Sequence, residues 1–155
     1  MEQFNLYKPN MLDIQEMEEL VFQEVENGNI LERDKNEMAN TIRSYICIKN
    51  NKNKIIGFVA LHIHTVSLAE IRSLIVKKEY RGNSIAKKLI EHCIDEAKSL
   101  KIKKLLVLTY KEQLFTHFNF QIIEKSSIPE TKIWADCIKC KHFPICNEIS
   151  LMLYL

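Results

Sequence analysis

Between Leu68 and Lys98 the apolar pattern changes period once, across a short loop. LAEIRSLIV is rich in Leu, Ile and Val and reads as a strand ending at Val76. KKEYRGNS is basic and contains a glycine, and from Ile85 the apolar residues recur at helical spacing. Ile85, Leu89, Ile90, Cys93, Ile94 and Ala97 form one face of that helix; Lys87, Lys88, Glu91, Asp95 and Glu96 form the other. A helix that follows a strand this closely presents unbonded backbone N–H groups at its first turn, and here basic side chains stand beside them. That combination suits an anionic ligand, a phosphate above all. Solvated lysines on an ordinary strand-to-helix turn are the alternative.

The remaining elements surround this unit. FNLYKP reads as a short first strand and NMLDIQEMEELVFQEVENG as a helix. Asn10 can cap that helix, Leu12, Met17, Leu20, Val21 and Val25 form its apolar stripe, and Gly28 can end it. DKNEMANTIRSY predicts a second helix, with Asp34 and Glu37 at capping-box spacing. YICIK and KIIGFVALHIHT precede LAEIRSLIV as strands, the first two joined by the hairpin signal KNNKNK. KLLVLT is apolar throughout, as expected for the middle of a sheet. KEQLFTHF reads as a short helix, left through Asn119, and NFQIIEK and EISLMLYL as strands. The order β-α-α-β-β-β-α-β-α-β-β predicts an α/β chain: a central mixed sheet with helices on both faces, in one domain over residues 1–155.

Bulk properties exclude several classes. Net charge is +2, and lysines and glutamates are interleaved rather than gathered on a basic face, so no nucleic-acid partner is expected. The start MEQFNLYKPN lacks a basic region followed by an apolar run, and no stretch approaches membrane-spanning length. A cytoplasmic setting is expected, where five cysteines argue against a disulfide framework.

The loop Arg81-Gly82-Asn83-Ser84-Ile85-Ala86, between a strand ending in Val and a helix, resembles the acyl-CoA loop of the GNAT acetyltransferases, Arg/Gln-x-x-Gly-x-Gly/Ala. The resemblance implies the GNAT acyl-CoA N-acyltransferase fold and acetyl-CoA as co-substrate. It places the pyrophosphate on Arg81, Gly82, Asn83, Ser84, Ile85, Ala86 and Lys87, and the pantetheine along Leu74, Ile75 and Val76. Ser84 departs from the pattern, standing where Gly is usual. The resemblance also implies a bulge at which this strand splays from the next, and a Leu74 amide directed at the thioester oxygen. Glu70 matches, by its distance from the loop, the catalytic glutamate of the histone-acetyltransferase branch. Phe115 stands where many relatives carry a tyrosine as general acid for the thiolate, at the cofactor side, so no side-chain acid is evident.

Outside the loop, ILERDKNEMANTIRSY, ALHIHTVSLAEIRSLIV, LLVLTYKEQLFTHFNF and IWADCIKCKHFPICNEISLMLYL are similar to the short single-domain N-acetylglutamate synthases. These are amino-acid N-acetyltransferases that serve arginine biosynthesis. The implied reaction is direct attack of an α-amino group on acetyl-CoA in a ternary complex, with L-glutamate the favoured acceptor. Alternatives are a GNAT acting on glutamine, a polyamine or a protein amine, and a non-catalytic acetyl-CoA-binding module. Homodimers are common in this fold.

Glutamate chemistry selects candidates. Two carboxylates call for fixed cations, and Arg binds carboxylates in bidentate fashion. Arg72 lies in an otherwise apolar strand, and alternation puts it on one sheet face with Glu70 and Leu74. It suits a substrate carboxylate, or a structural pair with Glu70. Arg33, in ILERD, is the second candidate, or a solvated surface residue. The attacking ammonium must lose a proton. Glu70 could take it if its pKa is raised by burial; His62 and His64, on the neighbouring strand, are alternative bases or core residues, His62 also a substrate contact.

CIKCKHFPIC gathers Cys137, Cys140, Cys146 and His142. Thiolates with a histidine can hold zinc, yet a single Cys-x-x-Cys without a distant second pair is a weak signal. The expectation is no metal, with reduced cysteines packing a loop and Trp134 anchoring the final strand. Cys47 and Cys93 fall on apolar faces and read as core rather than nucleophiles.

Overall fold

The computed structural model describes residues 3–26, 34–82, 84–128 and 148–155. Its elements follow the expected order. They are β1 (Asn5–Tyr7), α1 (Ile14–Glu26), α2 (Lys35–Asn40), β2 (Tyr45–Lys49), β3 (Ile55–Ile63) and β4 (Leu68–Val76). After them come α3 (Ile85–Ser99), β5 (Lys104–Thr109), α4 (Glu112–Thr116), β6 (Gln121–Ile123) and β7 (Ile149–Tyr154). The strands form one seven-stranded sheet in the order β1-β2-β3-β4-β5-β7-β6. All pairs are antiparallel except β4 with β5, which α3 joins as the crossover. The apolar β5 lies inside the sheet, as expected.

The helices cover the two faces separately. On one, Ile85, Leu89, Ile90 and Cys93 of α3 and Phe115 of α4 pack on Ile46, Ile48, Ile56, Ala69, Ile71, Leu105 and Leu151. On the other, Ile14 and Met17 of α1 and Met38 of α2 pack on Tyr45, Cys47, Phe58, Ala60 and Ile75. A smaller cluster, Leu68, Leu106 and Met152, continues this second face toward β7.

Local chemistry explains the starts of α1 and α2. Asn10 and Asp13 form a reciprocal capping box on a 3-10 turn, Met11–Asp13, that leads into α1. That turn rotates Leu12 out of the expected apolar stripe; it is 91% exposed, while Met17 is buried and Leu20 and Val21 pack against the core. Asp34 caps α2 by accepting the Glu37 N–H at 2.8 Å. This helix is shorter than expected, because a 3-10 turn at Ile42–Ser44 replaces its second half. Gly28 and the Val25 side chain lie outside the described residues.

Cys47 and Cys93 are buried free thiols. Burial, with Asp13 adding to it, pushes the Cys47 thiol up to about 12, and burial pushes Cys93 up as well. Both are core residues, as their positions implied, and neither is a thiolate at neutral pH. Arg33, Asn83, Trp134 and the cluster of Cys137, Cys140, His142 and Cys146 lie outside the described residues. Among the described residues, no group of His, Cys, Asp and Glu could hold a metal ion. No helix among them is long and apolar enough to cross a membrane.

Candidate active site

β4 carries the site, and one residue breaks its regularity. Phe58 of β3 pairs with Ile75, and Ala60 with Arg72, so Ser73 and Leu74 together oppose Val59. Ser73 has φ +59°, the left-handed conformation of the first residue of a bulge. The bulge corrects one expectation. Alternation across Ser73 would set Leu74 beside Glu70 and Arg72; instead Leu74 packs in the cluster of Ala69, Ile71 and α3, on the opposite face. Ile75 then returns to the face of Phe58 and Ala60.

β4 also parts from β5. The parallel ladder runs from Leu68–Lys104 to Glu70–Leu106 and stops. β5 continues to Thr109, but its partner there is β7. Beyond Glu70 the two strands no longer pair, so Arg72, the bulge and Val76 lie on a stretch of β4 whose β5 side is open to a ligand's backbone-like groups.

At the far end of β4 the loop is fastened at several points. Lys77 N–H donates to Ile56 C=O at 2.7 Å, and Arg81 Nε to Val76 C=O at 3.3 Å. Asn50 Nδ2 donates to Tyr80 Oη at 2.9 Å, and Tyr80 meets the Phe4 ring edge-on, tying the loop to the β2–β3 hairpin. Lys88 N–H to Ser84 C=O, 3.1 Å, is the first bond of α3, so the amides of Ile85, Ala86 and Lys87 have no acceptor within the helix. The Ser84 side chain does not cap them, and the first turn contains no acidic residue. Ser84 itself has φ +62° and Gly82 φ +91°, and the space where a Gly82 Cβ would sit is open. The conformation at Ser84 gives a physical reason for the glycine usual there in related loops.

Gly57 fits strand and loop together. A Cβ at this position would lie 2.9 Å from the Ile75 carbonyl oxygen and 3.3 Å from Ile85 Cγ2. Its absence lets β3, the end of β4 and the start of α3 converge.

Glu70 is 2% exposed, in a stretch of β4 whose neighbours are otherwise apolar. His62 is its partner across the β3–β4 ladder. His64, at the end of that hairpin, brings Nε2 to 2.8 Å from Glu70 Oε1, with both side chains 2% exposed. The rings of His62 and His64 meet edge-on at 4.7 Å. Arg72, half-buried, lies two residues further along the same face, toward the bulge.

The structure brings the sequence candidates Glu70, Arg72, His62 and His64 together on adjacent strands, but the Glu70–His64 contact depends on hairpin register and was not visible in the sequence. Ser150 was missed altogether. It lies beside Leu108 on the sheet face that carries Leu106 and Met152, and its buried hydroxyl has no hydrogen-bond partner among the described residues. Phe115 is buried in the core with its ring edge-on to Phe120, 5.5 Å between centroids. Tyr110 is 43% exposed.

A strand that stops pairing with its neighbour beside a bulge, followed by a cationic loop and uncapped helix amides, is an arrangement able to hold an anionic cofactor. The chain belongs to the acetyltransferase (GNAT) family, whose profile matches residues 9–118. It is 33% identical over 125 residues to an uncharacterized N-acetyltransferase of Chlorobaculum tepidum, covering 81% of this chain and 79% of that one. It is 30% identical over 122 residues to an amino-acid acetyltransferase of Pasteurella multocida, covering 77% of this chain but 28% of the relative. An amino-acid acetyltransferase of Mycobacterium tuberculosis matches 48% of this chain and 43% of its own length at 28% identity. The chain thus spans less than half of either amino-acid acetyltransferase. In fold it is similar to N-acetylglutamate synthase from Neisseria gonorrhoeae, solved with coenzyme A and N-acetyl-glutamate, at a TM-score of 0.85 and 20% identity. That match covers 99% of this chain and 35% of the other. A Mycobacterium tuberculosis protein solved with CoA matches at 0.84 and 18% identity, over 97% of this chain and 99% of that one.

Proposed function

We propose that this chain transfers the acetyl group of acetyl-CoA to the α-amino group of an amino acid, L-glutamate best among them. The observation that carries the reading is the placement of a buried carboxylate, Glu70, and a cation, Arg72, on one face of β4, beside the end of its pairing with β5. The relatives named as amino-acid acetyltransferases, and the structural neighbour solved with N-acetyl-glutamate, support it.

The loop fits a pyrophosphate. The amides of Ile85, Ala86 and Lys87, the Lys87 and Arg81 side chains, and the backbone of Gly82 and Ser84 would bind its charge, with Asn83 assigned to it as well, aided by the α3 dipole. Leu74, Ile75 and Val76 would hold the pantetheine along the edge of β4 that β5 leaves unpaired. Acetyl-CoA supplies an acetyl thioester open to attack by an amine. Leu74 N–H is the donor assigned to the thioester oxygen. Arg72 binds a carboxylate of the acceptor, with Arg33 assigned to a second and His62 lining the acceptor side. Glu70 accepts the ammonium proton, directly or through a water, and leaves a neutral amine for attack.

The test is release of CoA from acetyl-CoA with glutamate, glutamine, aspartate and a polyamine. Glutamate should react fastest, and Arg72→Ala should lose kcat/KM by about ten- to hundredfold, the worth of a charge-assisted contact. Polyamine turnover without amino-acid turnover would overturn the acceptor assignment and leave the acetyltransferase family in place. A polyamine site should be acidic, whereas here a cation, Arg72, shares the face of Glu70.

A further inference from the structure

The hairpin that delivers His64 is built to hold it. His64 N–H and Thr65 N–H both donate to Leu68 C=O, at 2.9 and 3.1 Å. Thr65 Oγ1 accepts from the N–H groups of Ser67 and Leu68. The turn that reverses the chain between β3 and β4 is thus closed on itself, with His64 directed back along the sheet at Glu70.

A carboxylate oxygen and an imidazole nitrogen 2.8 Å apart cannot both present lone pairs, so one proton lies between them. With Glu70 ionised, that proton sits on His64 Nε2. We propose that His64 is a positioning residue: its Nε2–H donates to Glu70 Oε1 and fixes the carboxylate in the orientation from which it accepts the proton of the acceptor ammonium. This rests on the assignment of Glu70 as base. A hydrogen bond donated to a carboxylate favours its charged form, the form that can accept a proton.

His64 reaches Glu70 at hydrogen-bond distance on a face that carries other charged groups. Described charged and titratable groups on this sheet face include His62 on β3, Arg72 on β4, Lys104 on β5 and Tyr154 on β7, by their register, and Tyr45, Cys47 and Lys49 on β2, the last paired with Asp13 at 3.6 Å. Lys104 and Tyr154 lie one row beyond Glu70, away from the bulge. Leu106 and Met152, in the row of Glu70 itself, are apolar, and the buried residues that α1 and α2 bring to this face are Ile14, Met17 and Met38.

The experiment compares pH profiles of kcat/KM for the best amine acceptor in wild type, His64→Ala, His64→Gln and Glu70→Gln, with melting curves for each. His64→Ala should lower kcat by about ten- to hundredfold, the cost of a misplaced catalytic group. KM for acetyl-CoA should stay within about twofold, since the loop lies at the other end of β4. The acidic limb should move to higher pH, because the base needs to be ionised and its ionised form has lost a donor. His64→Gln, whose amide nitrogen can reach the place of Nε2, should restore the limb and most of kcat. In a Glu70→Gln background His64→Ala should add no further loss. An unshifted limb in His64→Ala, or an equal additional loss in that background, overturns the proposal.

A wild type that acetylates no amine would overturn the function proposed above, and this pair is then read by ¹⁵N NMR of the imidazoles. An Nε2–H tautomer for His64, with a titration that moves in Glu70→Gln, supports the contact. An Nδ1–H tautomer, or a titration indifferent to Glu70→Gln, refutes it.

Discussion

Gly57→Ala should damage the cofactor end of the site through a single methyl group. The added Cβ would come to 2.9 Å from the Ile75 carbonyl oxygen, 3.3 Å from Ile85 Cγ2 and 3.5 Å from Val76 Cα. The Ile85 methyl belongs to a side chain that can rotate, but the Ile75 and Val76 atoms are backbone of a paired strand and cannot move alone. Gly57 pairs with Val76, so the strain falls on the residues assigned to pantetheine and on the first residue of α3. Overpacking of a close contact costs about 1–3 kcal/mol, and a backbone clash belongs in the upper half, about 2–3 kcal/mol. In a chain of this size each kcal/mol lowers Tm by about 2–4 °C, which gives a fall of about 4–12 °C. Differential scanning calorimetry reads the loss, and the rise in Tm on adding acetyl-CoA reads the site. Both should shrink. A melting temperature within about 1 °C of wild type would refute the close-packing argument. A normal melting temperature with lost acetyl-CoA binding would refute the claim that strand packing and loop position are one property.

Other substitutions separate conformation from packing. Gly82→Ala meets no atom, yet φ +91° is unfavourable for any residue with a Cβ; it should destabilise by about 1–2 kcal/mol, measured by urea unfolding. Ser84→Val places a branched side chain at φ +62° and should be worse than Ser84→Gly, which should match or exceed wild type in the same measurement. Ser150→Ala removes a buried hydroxyl that satisfies no partner among the described residues, so Tm should hold or rise; a loss of more than about 1 kcal/mol would reveal a bond to it. Cys47 and Cys93 should resist alkylation at pH 8 until the protein is denatured. Their unfolded thiols ionise near 9.0 while Cys47 stays protonated to about 12, so between these values the unfolded state binds fewer protons. Stability should therefore fall with rising pH above about 9, by about 1.4 kcal/mol per pH unit for each thiol.

Much of this architecture was legible because each element announces itself through its period. The α3 stripe from Ile85 to Ala97, the apolar β5 and the KNNKNK hairpin each read the same way locally and in the fold. What escaped depends on contacts between elements. Leu12 fits a helical stripe, but the capping box of Asn10 and Asp13 inserts a 3-10 turn that turns it to solvent. His64 was visible only as one of two strand histidines, because its contact with Glu70 needs the register that pairs His62 with that residue. Ser150 has no motif at all; only its burial marks it.

The bulge was implied by the family resemblance, but no glycine or proline signals its position at Ser73. A bulge inserts one residue without changing the faces of the residues on either side. Arg72 faces α1 and α2 with Ala60, Leu74 faces α3, and Ile75 faces α1 and α2 again. Deleting Ser73 would leave Leu74 opposite Val59 in a regular ladder and keep all three side chains where they are. It would also remove a residue held at φ +59°, a conformation that costs about 1–2 kcal/mol outside glycine. On stability alone the deletion should be neutral or favourable. Its damage should fall on function, because a straight β4 lacks the bend that goes with its parting from β5 after Glu70. The expected protein melts at or above the wild-type temperature, fails to gain stability from acetyl-CoA, and releases CoA at a small fraction of the wild-type rate. If it binds acetyl-CoA normally, the open stretch of β4 comes from the register of β4 and β5 and not from Ser73. If it fails to fold, the face-preserving register deduced across the bulge is wrong.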